Sequence, residues 1–164
     1  MDCQEKMKEQ RERTLVLIKP DGVQRGLIGE IIKRFEQRGL KIVGLKMVWI
    51  SKDFAKKHYA AHVGKDFYKN LEEFITSAPL VAMVLEGVNA VEYVRKIVGS
   101  TEPYSAEVGT IRGDFAHITY EYANMKKVPI KNLVHASGSK EEAEREINLW
   151  FNVNELYEYK LSYE

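Results

Sequence analysis

Apolar residues arrive along the chain in short blocks whose spacing changes from one block to the next. Residues 14–19 (TLVLIK) form a compact apolar run rich in branched side chains, which predicts a buried strand. Pro20-Asp21-Gly22 follows as a turn signal. Leu27, Ile31 and Phe35 then recur at helical spacing, and Gly39 supplies a stop. Residues 40–50 (LKIVGLKMVWI) alternate as a second strand. Ser51 is placed to N-cap a helix running toward His62, and Phe67, Leu71 and Phe74 mark the face of another. Residues 79–86 (PLVAMVLE) read as a third, buried strand. Asn89 is expected to cap a helix that turns Val91, Val94 and Val98 inward and closes at Gly99. A long loop bearing glycine and proline covers residues 100–114. Residues 132–135 (NLVH) read as the fourth strand. Ser139 and Glu142 have capping-box spacing and open a last helix with Ala143, Ile147 and Trp150 on one face.

Without the helix pair and the last helix, this order is β-α-β-β-α-β, the ferredoxin-like split unit. The expected class is therefore α+β: a four-stranded antiparallel sheet with an inserted helix pair and a C-terminal helix. The helices are expected to cover one face of the sheet. The architecture hosts many activities, so it does not name one.

Composition narrows the classes. The 164 residues suffice for one domain with a real core, expected over residues 14–164. Lys plus Arg number 25 against 24 Asp plus Glu, so there is no general drive toward nucleic acid or an anionic membrane. The longest apolar run, residues 78–85, is far too short to span a bilayer. Residues 1–13 are charged, lack the apolar middle of a signal peptide and read as a solvated tail. The single cysteine, Cys3, cannot form an internal disulfide, and the protein reads as cytoplasmic.

Several side chains carry candidate chemistry. His135 ends the last short strand, where an ionisable ring is an odd choice for packing. Taken singly, such a residue is more often a core histidine than a base, ligand or nucleophile. No His or Cys stands at metal-ligand spacing from it. Glu146, eleven positions on, lies at the edge of the last helix's buried face, within reach of the imidazole unless it is an ordinary solvated carboxylate. Lys19 ends the first strand, suited either to phosphate and sugar hydroxyls or to snorkelling. Arg95, Thr101 and Arg112 offer two guanidiniums and a hydroxyl that could clamp a diphosphate. Gly109 and Gly113 beside Arg112 allow close backbone approach. Phe67 either stacks on a base or belongs to a core stripe; Tyr59 flanks the same gap. Neither GxxxxGK[ST] nor GxGxxG is present, so any phosphate site here uses side chains.

Together these residues carry a family resemblance. TLVLIKPDGVQRGLIGEIIKRFEQRG, GTIRGDF and NLVHAS followed by EEAEREI resemble nucleoside diphosphate kinases, across nearly all of residues 13–150. The resemblance implies a ping-pong reaction in which a nucleoside triphosphate, bound with Mg²⁺, gives its γ-phosphoryl to a histidine and a diphosphate then takes it. His135 matches the nucleophile, Glu146 its orienting partner, Ser137 the serine supporting that carboxylate, and Tyr59 the tyrosine beside the histidine. Lys19 and Asn132 match residues that hold the ribose hydroxyls and the transferring group. Arg95, Thr101 and Arg112 match the phosphate clamp, His62 a histidine near the α-phosphate, and Phe67 the aromatic that stacks on the base. The Mg²⁺ is expected on the phosphates rather than in a protein cage. Members assemble as hexamers or tetramers, and the loop at residues 100–113 resembles the trimer contact of hexamers.

The chain departs from the family pattern in three places. Where many members have HGSDS or HASDS, it reads His135-Ala136-Ser137-Gly138-Ser139, losing a carboxylate. A segment at about residues 117–130 is longer than usual, and is expected to border either the nucleotide or a subunit contact. The N-terminal stretch is also longer. A nucleic-acid-binding module would need exposed aromatics on the central strands, and TLVLIK has none. A catalytically silent relative would lack His135, Lys19 or a clamp arginine, and all are present.

Overall fold

The computed structural model describes residues 2–163. Its strands are β1 (Arg11–Ile18), β2 (Lys41–Val48), β3 (Leu80–Val88) and β4 (Val134–Ala136). Its helices are α1 (Cys3–Gln10), α2 (Pro20–Gln24), α3 (Ile28–Glu36), α4 (Lys52–His58), α5 (Tyr68–Ile75), α6 (Ala90–Val98), α7 (Ile111–Phe115), α8 (Tyr120–Met125) and α9 (Lys140–Trp150). The strands form one antiparallel sheet in the order β2-β3-β1-β4. This is the ferredoxin-like arrangement. None of the described helices is long and apolar enough to cross a membrane.

The continuous apolar runs of β1 and β3 reflect burial on both faces. Because side chains alternate along a strand, Val16 and Ile18 face one way, and Leu15 and Leu17 the other. The first set packs with Val81, Met83 and Leu85 against Ile31 and Phe35 of α3 and Val94 and Val98 of α6. The second packs with Ala82 and Val84 against Ala55 of α4, Ile75 of α5, and Ile147 and Trp150 of α9. Helices therefore cover both sheet faces, not the single face expected from the sequence. The second layer is made by the helix pair and the last helix.

Local differences from the sequence pattern have physical causes. The stretch expected as a tail is ordered: Asp2 caps α1 through a reciprocal box with Glu5, and Arg11–Arg13 already belong to β1. Met1 lies outside the described residues. Pro20-Asp21-Gly22 opens a helix rather than a turn, with proline at a helical start that needs no N–H. Asn89 holds a left-handed backbone and makes no side-chain cap; Glu12 of β1 supplies the acceptor, taking the Val91 N–H at 3.1 Å. Within residues 100–114, a 3₁₀ turn (Pro103–Ser105) and α7 give the loop fixed shape.

The fourth strand starts later than expected. Leu133 is fully buried with φ of 73°, and the Val134 N–H bonds the Asn132 carbonyl at 2.8 Å. That is a γ-turn with left-handed φ, a strained form for a branched side chain. Asp21 accepts the Leu133 N–H at 3.0 Å, and the Leu133 carbonyl accepts from Lys19 N at 2.8 Å. The turn takes Asn132 and Leu133 out of the ladder and leaves β4 as three residues centred on His135.

Candidate active site

The site lies where β4 runs beside β1. Leu17 pairs with His135 in the ladder, so the imidazole's position follows from the sheet register. Glu146, on the inward face of α9, is 1% exposed. Its Oε1 lies 2.9 Å from His135 Nε2 and accepts from Ser137 Oγ at 2.6 Å. Ser137 is itself fully buried, and its Oγ accepts the Leu15 N–H at 3.3 Å. Burial works against charge on Glu146, but the bonds from His135 and Ser137 outweigh it and hold its pKa below the ordinary value. An ionised carboxylate only accepts, so in the neutral ring His135 Nε2 carries the proton and Nδ1 keeps its lone pair.

A second imidazole backs the first. His58 of α4 meets the His135 ring edge-to-face at 4.8 Å between centroids, and Trp150 at 5.4 Å. Its Nδ1 accepts the Trp150 indole N–H at 3.0 Å. Burial, followed by the nearby His135, lowers its pKa to about 3, so it stays neutral. The sequence spacing offered no ligand partner for His135, yet His58, His135 and Glu146 bring potential ligand atoms within 4.8 Å of one another. Hydrogen bonds already engage one nitrogen of each ring. The trio is therefore a packed support for one ring. His58 escaped the sequence reading; its spacing from Ala55, three residues earlier on the buried side of α4, is the signal that reveals it.

The cleft beside His135 has a volume of about 630 Å³. Lys19, Tyr59, His62, Phe67, Arg95, Thr101, Arg112 and Asn132 all line it, so the fold gathers the cleft-facing candidates; Glu146 and Ser137 stand behind His135. Lys19 is buried and donates to Asn132 Oδ1, while Asn132 Nδ2 donates to the Thr101 carbonyl at 2.8 Å. Burial lowers the Lys19 pKa to about 8, with Asp21 opposing and Arg112 adding to the shift. Burial also raises the Tyr59 phenol, so its hydroxyl stays protonated.

The two arginines differ. Arg112 is 8% exposed and donates to the carbonyls of Asn132 (3.1 Å), Gly99 (3.1 Å) and Val134 (2.7 Å). Three of its five N–H donors are thus committed to backbone, and the rest are available to the cleft. Burial, then repulsion from Arg95, lowers its pKa to about 10. Gly113 permits this placement, since a Cβ there would stand 2.0 Å from the Glu107 carbonyl oxygen. Arg95 is exposed and, among the described residues, makes one long bond of 3.4 Å to the Ala136 carbonyl.

Phe67 does not lie in a core stripe. It is 52% exposed at the N-terminal boundary of α5, with the His62 ring 5.5 Å away. The long segment near residues 117–130 forms α8 and lines the same cleft through Tyr120, Asn124 and Lys127. It is pinned on two sides: Asn70 Nδ2 donates to the Lys127 carbonyl (3.1 Å), and Glu102 accepts the Tyr120 N–H (2.9 Å).

This assembly of a supported imidazole, a lysine and two arginines around one cleft matches a known family. The family model described as "Nucleoside diphosphate kinase" matches residues 12–156. The chain belongs to the nucleoside diphosphate kinase family. It is 60% identical over 150 residues to the nucleoside diphosphate kinase of Pyrococcus abyssi, covering 92% of this chain and 90% of that one. Its fold is similar to a transition-state mimic of the nucleoside-diphosphate kinase from Borrelia burgdorferi with bound vanadate and ADP, at 43% identity and a TM-score of 0.90, covering 94% and 95% of the two chains. A halophilic nucleoside diphosphate kinase from Halobacterium salinarum in complex with CDP gives 44% identity and a TM-score of 0.81, covering 92% and 94%. As a member of the nucleoside diphosphate kinase family, the chain is a phosphotransferase acting on nucleotides.

Proposed function

We propose that the chain carries out ping-pong phosphoryl transfer from a nucleoside triphosphate, typically ATP, to a nucleoside diphosphate, with His135 as the transient carrier. The observation that supports this most directly is the bonded series Ser137–Glu146–His135, which leaves Nδ1 as the nitrogen with a free lone pair. Nδ1 attacks the γ-phosphorus, and the bond to the bridging oxygen breaks. The nucleoside diphosphate leaves with that oxygen. Glu146 stabilises the positive charge that the ring then bears. In the second half-reaction a terminal oxygen of an incoming diphosphate attacks the same phosphorus, and the N–P bond breaks. Lys19, Arg95, Arg112 and Thr101 hold the phosphates, and Lys19 with Asn132 also meets the ribose hydroxyls. His62 stands near the α-phosphate, Phe67 stacks on the base, and Tyr59 stands beside the nucleophile. Stacking tolerates every base because each has a π-face.

Enzymes of this family use a divalent cation, here Mg²⁺. The donor set fits a cation delivered on the phosphates: the described residues lining the cleft include a single carboxylate, Glu142, and no cage. When bound, Mg²⁺ neutralises phosphate charge in the transition state.

The working form is a homo-oligomer, and we favour a hexamer. Edge strand β2 and the residue after it expose Leu45, Met47 and Trp49 at alternate positions, an apolar row suited to a second copy. The loop at residues 100–113 resembles the one at the trimer contact of hexamers, and that resemblance is the ground for favouring a hexamer. Composition, with its one cysteine, is the ground for placing the enzyme in the cytoplasm.

The test is direct. Incubated with ATP and Mg²⁺, the wild-type protein gains one acid-labile, alkali-stable phosphoryl group by intact mass, and His135→Ala gains none. An unmodified wild type, or a phosphorylated variant, overturns the assignment.

A further inference from the structure

The cleft is cationic with one exception. Lys19, Arg95 and Arg112 line it, and Glu142 is the sole carboxylate among its described lining residues. Sequence spacing pairs Glu142 with Ser139 in a capping box, but only half of that box forms. Ser139 Oγ accepts the Glu142 N–H at 3.1 Å, while the Glu142 carboxylate turns past the cap residue to Gly138 and accepts its N–H at 3.2 Å. Gly138 makes room for this. A Cβ there would stand 2.7 Å from Glu142 Oε2 and 4.0 Å from Arg95 Nη1. Glycine at this point thus removes one carboxylate from the family string and seats another, from α9, on the cleft wall near Arg95.

An anion on the wall of a polyphosphate site opposes its ligand unless the ligand brings a cation. Metal-free nucleotide meets repulsion from the carboxylate. Metal-loaded nucleotide carries less net charge and offers Glu142 an attractive partner, directly or through the cation's water. We propose that Glu142, seated over Gly138, is a specificity-determining residue that makes the cleft prefer divalent-cation-loaded nucleotide over the metal-free form. The inference rests on the nucleotide reading above and adds to it the residue that senses the metal.

Binding tests it without catalysis. ADP is titrated calorimetrically into the full-length protein, once with excess Mg²⁺ and once with EDTA. Wild type should favour the magnesium form by on the order of tenfold. Glu142→Gln keeps an acceptor for the Gly138 N–H and removes the charge, so it should cut that ratio to about threefold or less, chiefly by tightening metal-free ADP. Adding Gly138→Asp to Glu142→Gln returns a carboxylate to the same wall and should recover most of the ratio. A Glu142→Gln ratio equal to wild type, or a double variant as flat as the single one, overturns the proposal. Failure of wild type to bind ADP under either condition overturns the nucleotide reading instead.

Discussion

The two ends of the cleft are built by opposite rules. At the end we propose for the nucleophile, Lys19, Arg112, Asn132, Ser137 and Glu146 are all buried, and each is tied to named partners. At the end we propose for the base, Phe67, Asn124 and Lys127 are exposed, and the Lys127 carbonyl is held by Asn70. Phosphoryl transfer gains from donors fixed before the charge develops, because no reorganisation remains to be done at the moment of reaction. Accepting different bases gains from a flat contact with few directional bonds. On the roles proposed above, burial serves the chemistry and not the identity of the base.

Arg112 and Arg95 break this comparison most sharply. Both face the cleft, but only Arg112 also holds three backbone carbonyls together. Arg112→Ala should lower phosphoryl transfer by about 10²–10³-fold, the cost of losing a transition-state donor. It should also cost roughly 3 kcal/mol of stability, because buried carbonyls lose charged partners. Arg95→Ala should reduce the rate while leaving stability within about 0.5 kcal/mol, as for an exposed side chain. Steady-state rates and denaturant unfolding of both variants check this. Equal stability losses would mean that the two arginines are not divided between framework and clamp.

Lys19 gives a pH test of the buried end. Its free ammonium has a pKa near 8, and bound phosphate favours the charged form, raising that value in the complex. Between the two values, binding takes up a proton, so affinity falls as pH rises. Nucleotide Kd should stay level below pH 8 and climb by about tenfold per pH unit above it. Calorimetry in buffers of different ionisation enthalpy should show proton uptake at pH 9 and none from this group at pH 6.5. A flat Kd to pH 9.5 would remove Lys19 from phosphate binding.

How much of this was legible depended on whether a feature is periodic or geometric. The strands over TLVLIK and PLVAMVLE and the stripe Leu27-Ile31-Phe35 were readable because burial leaves a period in the sequence. The joint pattern around Lys19, Arg112 and His135 was readable through the family's strings. The γ-turn at Leu133 was not, because it places a leucine where propensity disfavours it; Asp21, 112 residues away, holds its N–H. Asn89 misled for a related reason, since the capping acceptor comes from Glu12 across the sheet. His58 depends on tertiary contacts between α4, α9 and β4, through the Trp150 indole N–H and the His135 ring. Long-range partners of this kind leave no local spacing to read.

The smallest expected effect tests the open end. Phe67 is half exposed and touches the His62 ring, so removing it costs the core little. Phe67→Ala should weaken nucleotide binding by about 1 kcal/mol, roughly fivefold in Kd, the low end for one base–aromatic stack. Saturated turnover should hardly change, because the residue lies outside the supported imidazole and its carboxylate. The loss should also be similar for ADP, GDP, CDP and UDP, since a stacking platform reads a π-face that all four bases share. Binding by fluorescence or calorimetry across the four diphosphates decides the matter. A loss confined to one base would assign discrimination to Phe67 and make the base end as directional as the nucleophile end. A large fall in turnover would tie the ring to the chemistry and erase the division between the two halves of the cleft.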